Sequence, residues 1–300
     1  MVEEYEISSS IMKKLYIYIL ALLCCTACSS LGDYAFRKTL TMASEKLNAQ
    51  CPMDVHYGTL QRIYLDHDTL CTLLRLADSY SYILNSPLRV GGVPEGRVGT
   101  NPSPLAAAML LALAEDTTQT RLADLARDLA AHGYYLRLRL DPGSSPNSSP
   151  SLFLYATPAL LDSVFNDRYT VRQKADIRVQ TQVLFAKCRI PIRLDENMSM
   201  TAIDYTPGEV RMAYTIVEDE QVNLGNEAFR TTAELVVRRR IWNDLIRSKS
   251  PAVQEIVKNY YLSGCSIVYT CTGDKSGGQV TLVFTTADLR MLLSHYGIHI

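Results

Sequence analysis

The chain is 300 residues long, 47% hydrophobic and 20% charged, and its 30 basic and 31 acidic residues leave a formal charge of −1. That composition is ordinary for a globular protein. The near balance of charge excludes the basic footprint of a nucleic-acid binder and the polybasic patch of a membrane-surface protein.

The first informative stretch, Met12 to Ser30, reads MKKLYIYILALLCCTACSS. Lys13 and Lys14 form a basic start, Leu15 to Leu23 an apolar run, and Thr26-Ala27 a small-residue cleavage site before Cys28. This is the pattern of a bacterial secretory signal. A cysteine directly after the small residues resembles a lipobox, which implies cleavage before Cys28 and lipidation of that residue. Cys25 stands where a lipobox usually has Leu, and Cys24 and Cys25 are the alternative acceptors. Leu15 to Cys28 spans 14 residues, short of the ~20 a transmembrane helix needs; secretion without an anchor is the other alternative. Glu3, Glu4 and Glu6 oppose a signal's positive start, so Met12 rather than Met1 reads as the initiator. Residues 1–28 therefore form a signal peptide with the lipobox cysteine at its end. Ser29, Ser30, Leu31, Gly32 and Asp33 lack the acidic run that surface-exported lipoproteins of the Bacteroidota tend to carry, which favours a periplasm-facing protein over one at the cell surface.

About 270 residues remain, enough for one large domain or two small ones. Three of the eight cysteines belong to the signal, leaving Cys51, Cys71, Cys188, Cys265 and Cys271. The periplasm permits disulfides, but an odd number leaves at least one thiol free or paired between chains. Cys265 and Cys271 lie in one extended segment, ~20 Å apart at strand rise, too far to bond each other there. Most of these cysteines read as small buried hydrophobes. No CxxC or Cys/His zinc spacing occurs, so neither metal nor cofactor is expected. Eighteen Tyr against six Phe and one Trp suits half-buried strands, where a ring packs and its hydroxyl stays wet.

Taken in order, a helical pattern covers Tyr34 to Gln50 and ends at Cys51-Pro52. Strand-like runs follow at Met53 to Leu65 and Leu70 to Leu76, with Asp66-His67-Asp68 as the turn between them. An irregular stretch ends in GGVPEGRVG, Gly91 to Gly99. Helical patterns then occupy Pro104 to Ala114 and Thr117 to Ala131, the second stopped by Gly133. In Tyr134 to Leu140, Leu136, Leu138 and Leu140 alternate with Arg137 and Arg139, as in a strand with one wet face. The polar loop Asp141 to Pro150 leads to a strand, Ser151 to Tyr155, and Thr157-Pro158 opens a short helix as N-cap and first helical residue.

The same order then recurs. A helical pattern at Val171 to Lys187 ends at Cys188, 137 residues after Cys51. Strands at Ile190 to Ile203 and Val210 to Val217 flank Thr206-Pro207-Gly208-Glu209. Helical patterns cover Glu227 to Ile246 and Pro251 to Leu262, and Gly264 stands where Gly133 stood. Strands at Ser266 to Cys271 and Gln279 to Phe284 flank GDKSGG, and Thr286 is expected to cap a closing helix. The recurrence reads as a long internal repeat. The expected fold is α+β: two related units, residues 29–166 and 167–300, each a small antiparallel sheet of four or five strands with helices packed on one face.

This order of elements, with its Cys-Pro, Gly and Thr-Pro punctuation, resembles small units of bacterial secreted proteins and Bacteroidota-like envelope lipoproteins of unknown function. The resemblance implies no activity and carries over no functional residue.

Few side chains suggest chemistry. Asp66, His67 and Asp68 set two carboxylates beside an imidazole, a set that binds metals or moves protons. The bland reading is a solvated turn, which Asp favours. Gly91, Gly92 and Arg97 belong to a Gly-rich loop without the GK[ST] of a phosphate site, and they read as a contact loop. His295 and His299 read as a frayed C-terminal tail, and Arg238-Arg239-Arg240, spread around a helix, as a solvated face with Trp242 packing between helix and sheet. Asn147-Ser148-Ser149 fits a eukaryotic glycosylation pattern, and Asp68-Thr69-Leu70 and Asp162-Ser163-Val164 resemble Bacteroidota O-glycosylation tripeptides. No nucleophile motif such as GxSxG or SxxK appears.

The expectation is a lipid-anchored envelope protein that binds rather than catalyses, with the membrane and an envelope protein as partners, no nucleic acid, and an unidentified small ligand. A periplasmic hydrolase with a site in a groove between the units is one alternative. A structural subunit of an envelope complex is the other.

Overall fold

The computed structural model describes residues 32–55, 58–77, 104–115, 120–143, 151–187, 189–220 and 222–299. Contacts divide the chain between Thr170 and Val171 into two compact units.

The first unit runs α1 (Asp33–Asn48), β1 (Met53–Val55), β2 (Gly58–Asp66), β3 (Thr69–Leu76), α2 (Pro104–Ala114), α3 (Thr120–Ala131), β4 (Tyr135–Asp141), β5 (Leu152–Ala156) and α4 (Pro158–Phe165). The second runs α5 (Val171–Lys187), β6 (Ile192–Arg193), β7 (Met198–Thr206), β8 (Glu209–Ile216), α6 (Glu227–Arg247), α7 (Pro251–Ser263), β9 (Ser266–Gly273), β10 (Gln279–Phe284) and α8 (Thr286–His295). The element order is the same, and so is the strand order, β1-β2-β3-β4-β5 and β6-β7-β8-β9-β10. The fold is α+β with two similar units, each a five-stranded sheet with helices packed on one face.

The likeness extends to register. Thr69 pairs with Tyr135 where Glu209 pairs with Ser266, and Leu136 pairs with Ala156 where Ile267 pairs with Phe284. The register shifts between Leu60 and Arg62 in β2, and at the matching point between Met200 and Ala202 in β7. One extra residue on the bulged strand sends all later side chains to the other face. Leu60 and Ile63 are therefore both buried although three residues apart, as are Met200 and Ile203.

The sheets are antiparallel except where β4 lies parallel to β3 and β9 to β8. Parallel neighbours need a long crossover, and the helix pairs α2–α3 and α6–α7 supply it. Tyr135 N–H donates to Asp68 O at 2.8 Å, and Ser266 N–H to Gly208 O at 2.9 Å, so each parallel ladder starts from the preceding hairpin turn. The reversal into each parallel strand depends on a left-handed glycine, Gly133 at φ 73° and Gly264 at φ 76°. In each, the glycine N–H and the next residue's N–H return to the last helical turn, Gly133 to Ala130 and Tyr134 to Leu129, Gly264 to Tyr261 and Cys265 to Tyr260. That is a Schellman closure, which a side chain at the glycine would strain. Thr157 caps α4 by accepting from Leu160 N–H. The cap of α8 is Thr285, not Thr286: its hydroxyl accepts from Asp288 N–H while the Asp288 carboxylate accepts from Thr285 N–H. Asp three residues after Thr285 makes this reciprocal box, so the helix starts at Thr286 itself, one residue earlier than a cap there would place it.

In the second unit α5, α6, α7 and α8 all contribute to one core with the inward side chains of the sheet. Val179, Val183, Ala233, Val257, Tyr260, Leu289, Leu292 and Leu293 meet Val210, Tyr214, Ile267, Cys271, Val280, Leu282 and Phe284. Trp242 stacks on Phe284 at 6.2 Å between helix and sheet, as expected of it. Arg238 does more than face solvent. It lies over the same ring at 5.3 Å, donates to Val283 O at 3.2 Å and approaches Asp288 at 3.5 Å. Among the described residues no helix is long and apolar enough to cross a membrane.

Phe284 is 1% exposed, so Phe284→Ala is expected to cost about 3–5 kcal/mol through lost burial and a residual cavity. Denaturant unfolding followed by the fluorescence of Trp242, the only tryptophan, measures both the midpoint shift and the lost ring contact.

Candidate functional site

Strand alternation gives each sheet a second face, opposite the helices. In the first unit, register aligns Tyr64, Cys71, Arg137 and Tyr155 across β2 to β5, and Arg62, Leu73, Arg139 and Phe153 in the next row. Asp66 stands beyond the first row and Asp141 beyond the second. The bulge in β2 is what puts Arg62 on this face and Ile63 in the core.

The arginines on this face are held by rings and carboxylates. The Arg62 guanidinium lies over the Tyr64 ring at 4.5 Å, and that of Arg139 over Phe153 at 5.6 Å. Such cation–π contacts are worth about 0.5–1 kcal/mol where exposed. Phe153 stacks with Tyr155 at 6.4 Å. Arg137 Nη2 donates to the Tyr64 hydroxyl at 3.2 Å and reaches Asp66 at 3.8 Å. Arg139 Nε donates to Asp141 at 2.7 Å, and the Ser151 hydroxyl donates to the same carboxylate oxygen at 2.6 Å. Cys71 is buried in the middle of this layer. Burial pushes its thiol up, with Arg137 drawing it partly back. A raised thiol is poor in thiolate at neutral pH and a weak nucleophile.

The second unit carries the same eight positions with different chemistry. They are Asp204, Arg211, Val268 and Val283 in one row and Ala202, Ala213, Thr270 and Thr281 in the other. These eight positions hold three arginines and no carboxylate in the first unit, against one arginine and one aspartate in the second. The fold therefore does not require arginines and rings here, because the same register is built with Ala, Thr and Val. This makes the first face the candidate site.

Asp66, His67 and Asp68 lie at the end of that face. His67 sits at φ 52° with its side chain 92% exposed. Its Nδ1 lies 2.9 Å from Asp66, while Asp68 accepts from the Thr69 hydroxyl at 3.1 Å. The three share the turn without converging on one point. Among the described residues no group of three or more His, Cys, Asp or Glu is placed to hold a metal ion. Cys28, Gly91, Gly92, Arg97, Asn147 and Cys188 lie outside the described residues. Cys51, Cys71, Cys265 and Cys271 are free, and burial raises the thiol of each. Thr69 falls within β3 and Ser163 within α4, where its hydroxyl donates to Ala159 O at 2.7 Å.

A buried carboxylate in the second unit has no counterpart in the sequence reading. Glu218 follows β8 and is 3% exposed. It accepts from Leu224 N–H at 2.6 Å, Ser276 N–H at 2.6 Å, Lys275 N–H at 3.1 Å and the Ser276 hydroxyl at 2.7 Å. Lys275 Nζ donates to Glu218 O at 2.6 Å, and Glu218 N–H donates to Asp274 at 2.9 Å. The Ser276 hydroxyl and N–H, with the Leu224 and Lys275 amides, hold the carboxyl down to about 2. A β-carbon at Gly273 would strike this carboxylate at 2.3 Å, and one at Gly278 would strike Leu224 O at 2.0 Å. Glu218 thus ties the segment after β8 to the β9–β10 turn. Its oxygens are consumed by the chain's own donors, so its part is structural.

No protein-family model matches the chain, and no curated protein matches it. Among solved structures, a crystal structure of a protein from Pseudomonas aeruginosa described as secreted aligns with 41% of this chain and 98% of its own length, at 10% identity and a TM-score of 0.31.

The Glu218 carboxylate binds its proton more weakly folded than unfolded. Its contribution to stability is complete above the ordinary value of 4.5 and is lost as pH falls toward 2. Glu218→Gln is expected to lower the unfolding midpoint at pH 7 and to flatten the pH dependence between pH 4.5 and 2. Denaturant midpoints of both proteins across that range measure it, and parallel curves would contradict it.

Proposed function

We propose that the protein is a lipoprotein of the bacterial cell envelope, anchored through Cys28 and facing the periplasm, that acts as a non-catalytic binding or accessory protein. Its contact surface is the arginine and aromatic face of the first sheet. The observation that carries this reading is the contrast between equivalent faces. Two units of one fold share register residue for residue, yet only one sets Arg62, Arg137 and Arg139 among Tyr64, Phe153 and Tyr155. Packing does not require these residues, so recognition is left as the reason for them. The sequence from Lys13 to Cys28 supports the anchor. The titratable groups support binding over catalysis. Cys71 is masked and poor in thiolate, His67 stands out in water, and Glu218 is occupied by the chain's own amides.

Growth with radiolabelled palmitate tests the anchor. Wild-type protein is expected to carry label, Cys28→Ser to lose it, and Cys24→Ser and Cys25→Ser to keep it. Label retained by Cys28→Ser would overturn the assignment of that residue.

A further inference from the structure

We infer that the arginine and aromatic face of the first sheet binds an acidic saccharide, a polymer that presents carboxylates at repeated spacing. This rests on the reading of that face as the contact surface and gives it a ligand class.

The argument starts from hydrogen-bonding sense. A guanidinium donates and never accepts. Arg62, Arg137 and Arg139 fill the centre of the face with donors, and its acceptors are already taken: the Tyr64 hydroxyl accepts from Arg137, Asp141 accepts from Arg139, and Asp66 lies 3.8 Å from Arg137. A surface rich in donors and poor in acceptors suits a ligand whose groups accept. A peptide laid across it would bring backbone N–H groups that find no acceptor, and buried N–H groups without partners are costly. Saccharide hydroxyls rotate to accept, and carboxylates take the guanidinium fork in two parallel bonds.

Preorganisation points the same way. Arg62 lies flat on Tyr64 and Arg139 on Phe153, so each fork is held before a ligand arrives and less side-chain entropy is lost on binding. Those ring faces are covered by guanidinium and are not free to stack a nucleobase. Arg137 and Arg139 are two residues apart on one strand face, about 7 Å, and Arg62 and Arg139 are separated by one intervening strand, about 10 Å. No described carboxylate pairs with Arg62, so charge complementarity is incomplete without a ligand.

The test uses the full chain in detergent and four probes: polygalacturonate, its fully methyl-esterified form, poly-glutamate, and a single-stranded oligothymidylate. Polygalacturonate is expected to bind, to weaken with added salt, and to outcompete the other three. Arg62→Gln, Arg137→Gln and Arg139→Gln are each expected to reduce its affinity about tenfold or more, and Arg62→Lys to restore only part of it, since charge without the fork remains. Arg211→Gln, on the equivalent face of the second unit, is expected to leave affinity unchanged. Arg62 is exposed, so its variants read recognition rather than folding, and thermal unfolding of each variant checks this. Equal or tighter binding of poly-glutamate or oligothymidylate would overturn the saccharide class, as would binding of the esterified form or of none of the probes. Palmitate labelling reads the envelope assignment separately: a labelled protein that binds no acidic saccharide defeats this inference alone, and an unlabelled one defeats the anchor whatever the face binds.

Discussion

Each unit depends on one pairing between strands far apart in the chain. β4 must lie parallel beside β3, and β9 beside β8. A parallel neighbour cannot be reached by a tight turn, so the chain leaves the sheet, crosses over it through two helices and re-enters in the same direction. The re-entry is made by a left-handed glycine, and the first hydrogen bond of the parallel ladder is accepted by a carbonyl of the previous hairpin turn. The crossover also determines where the apolar side chains go. Helices that cross on one side bury the inward rows of the sheet, and in the second unit all four helices share that core.

One-sided packing leaves the opposite face under weaker constraint. The inner rows of the two sheets hold apolar side chains at matched positions, such as Leu70 and Val210 or Leu136 and Ile267, with Thr72, where the second unit has Met212, the exception, because volume and burial demand it. The outer rows have separated into two chemistries on one backbone. One face carries guanidiniums stacked on rings, and the other carries mostly short β-branched and small side chains, with Asp204 and Arg211 as its charged pair of positions. The second unit instead places its special chemistry in a connection, where Glu218 gathers three amides and a hydroxyl from two segments. A carboxylate in that position acts as a charged cap on loop backbone that water would otherwise have to satisfy.

Much of the fold was legible in the sequence because its signals were local. Helix spacing, Gly133, Gly264, Thr157-Pro158 and the alternation in Tyr134 to Leu140 each report on a few neighbouring residues. Their order revealed the repeat. The parallel pair was not legible, because strand direction is set by which segments become neighbours. The cap of α8 was misplaced by one residue because two threonines stand together and only Asp288 distinguishes them. The candidate face was half visible. Arg137 and Arg139 showed as a wet row, and Phe153 and Tyr155 alternate in the same way, but only register brings them beside Arg62 and Tyr64. Glu218 was invisible in principle. Two of its carboxylate's three partner residues, Lys275 and Ser276, lie more than fifty residues away, and the run GDKSGG signals a turn without saying what the turn encloses.

The bulges in β2 and β7 have a consequence for how the gene tolerates change. Gln61 and Thr201 are the extra residues, and neither is buried. Substituting them alters little, since a bulged residue owes the sheet no particular side chain. Losing one codon there is another matter. The strand would become regular, and its two halves could no longer both keep faith with the core: either Leu60 or Ile63, and in the second unit Met200 or Ile203, would turn outward. These are positions where the identity of the letter is free and its presence is not.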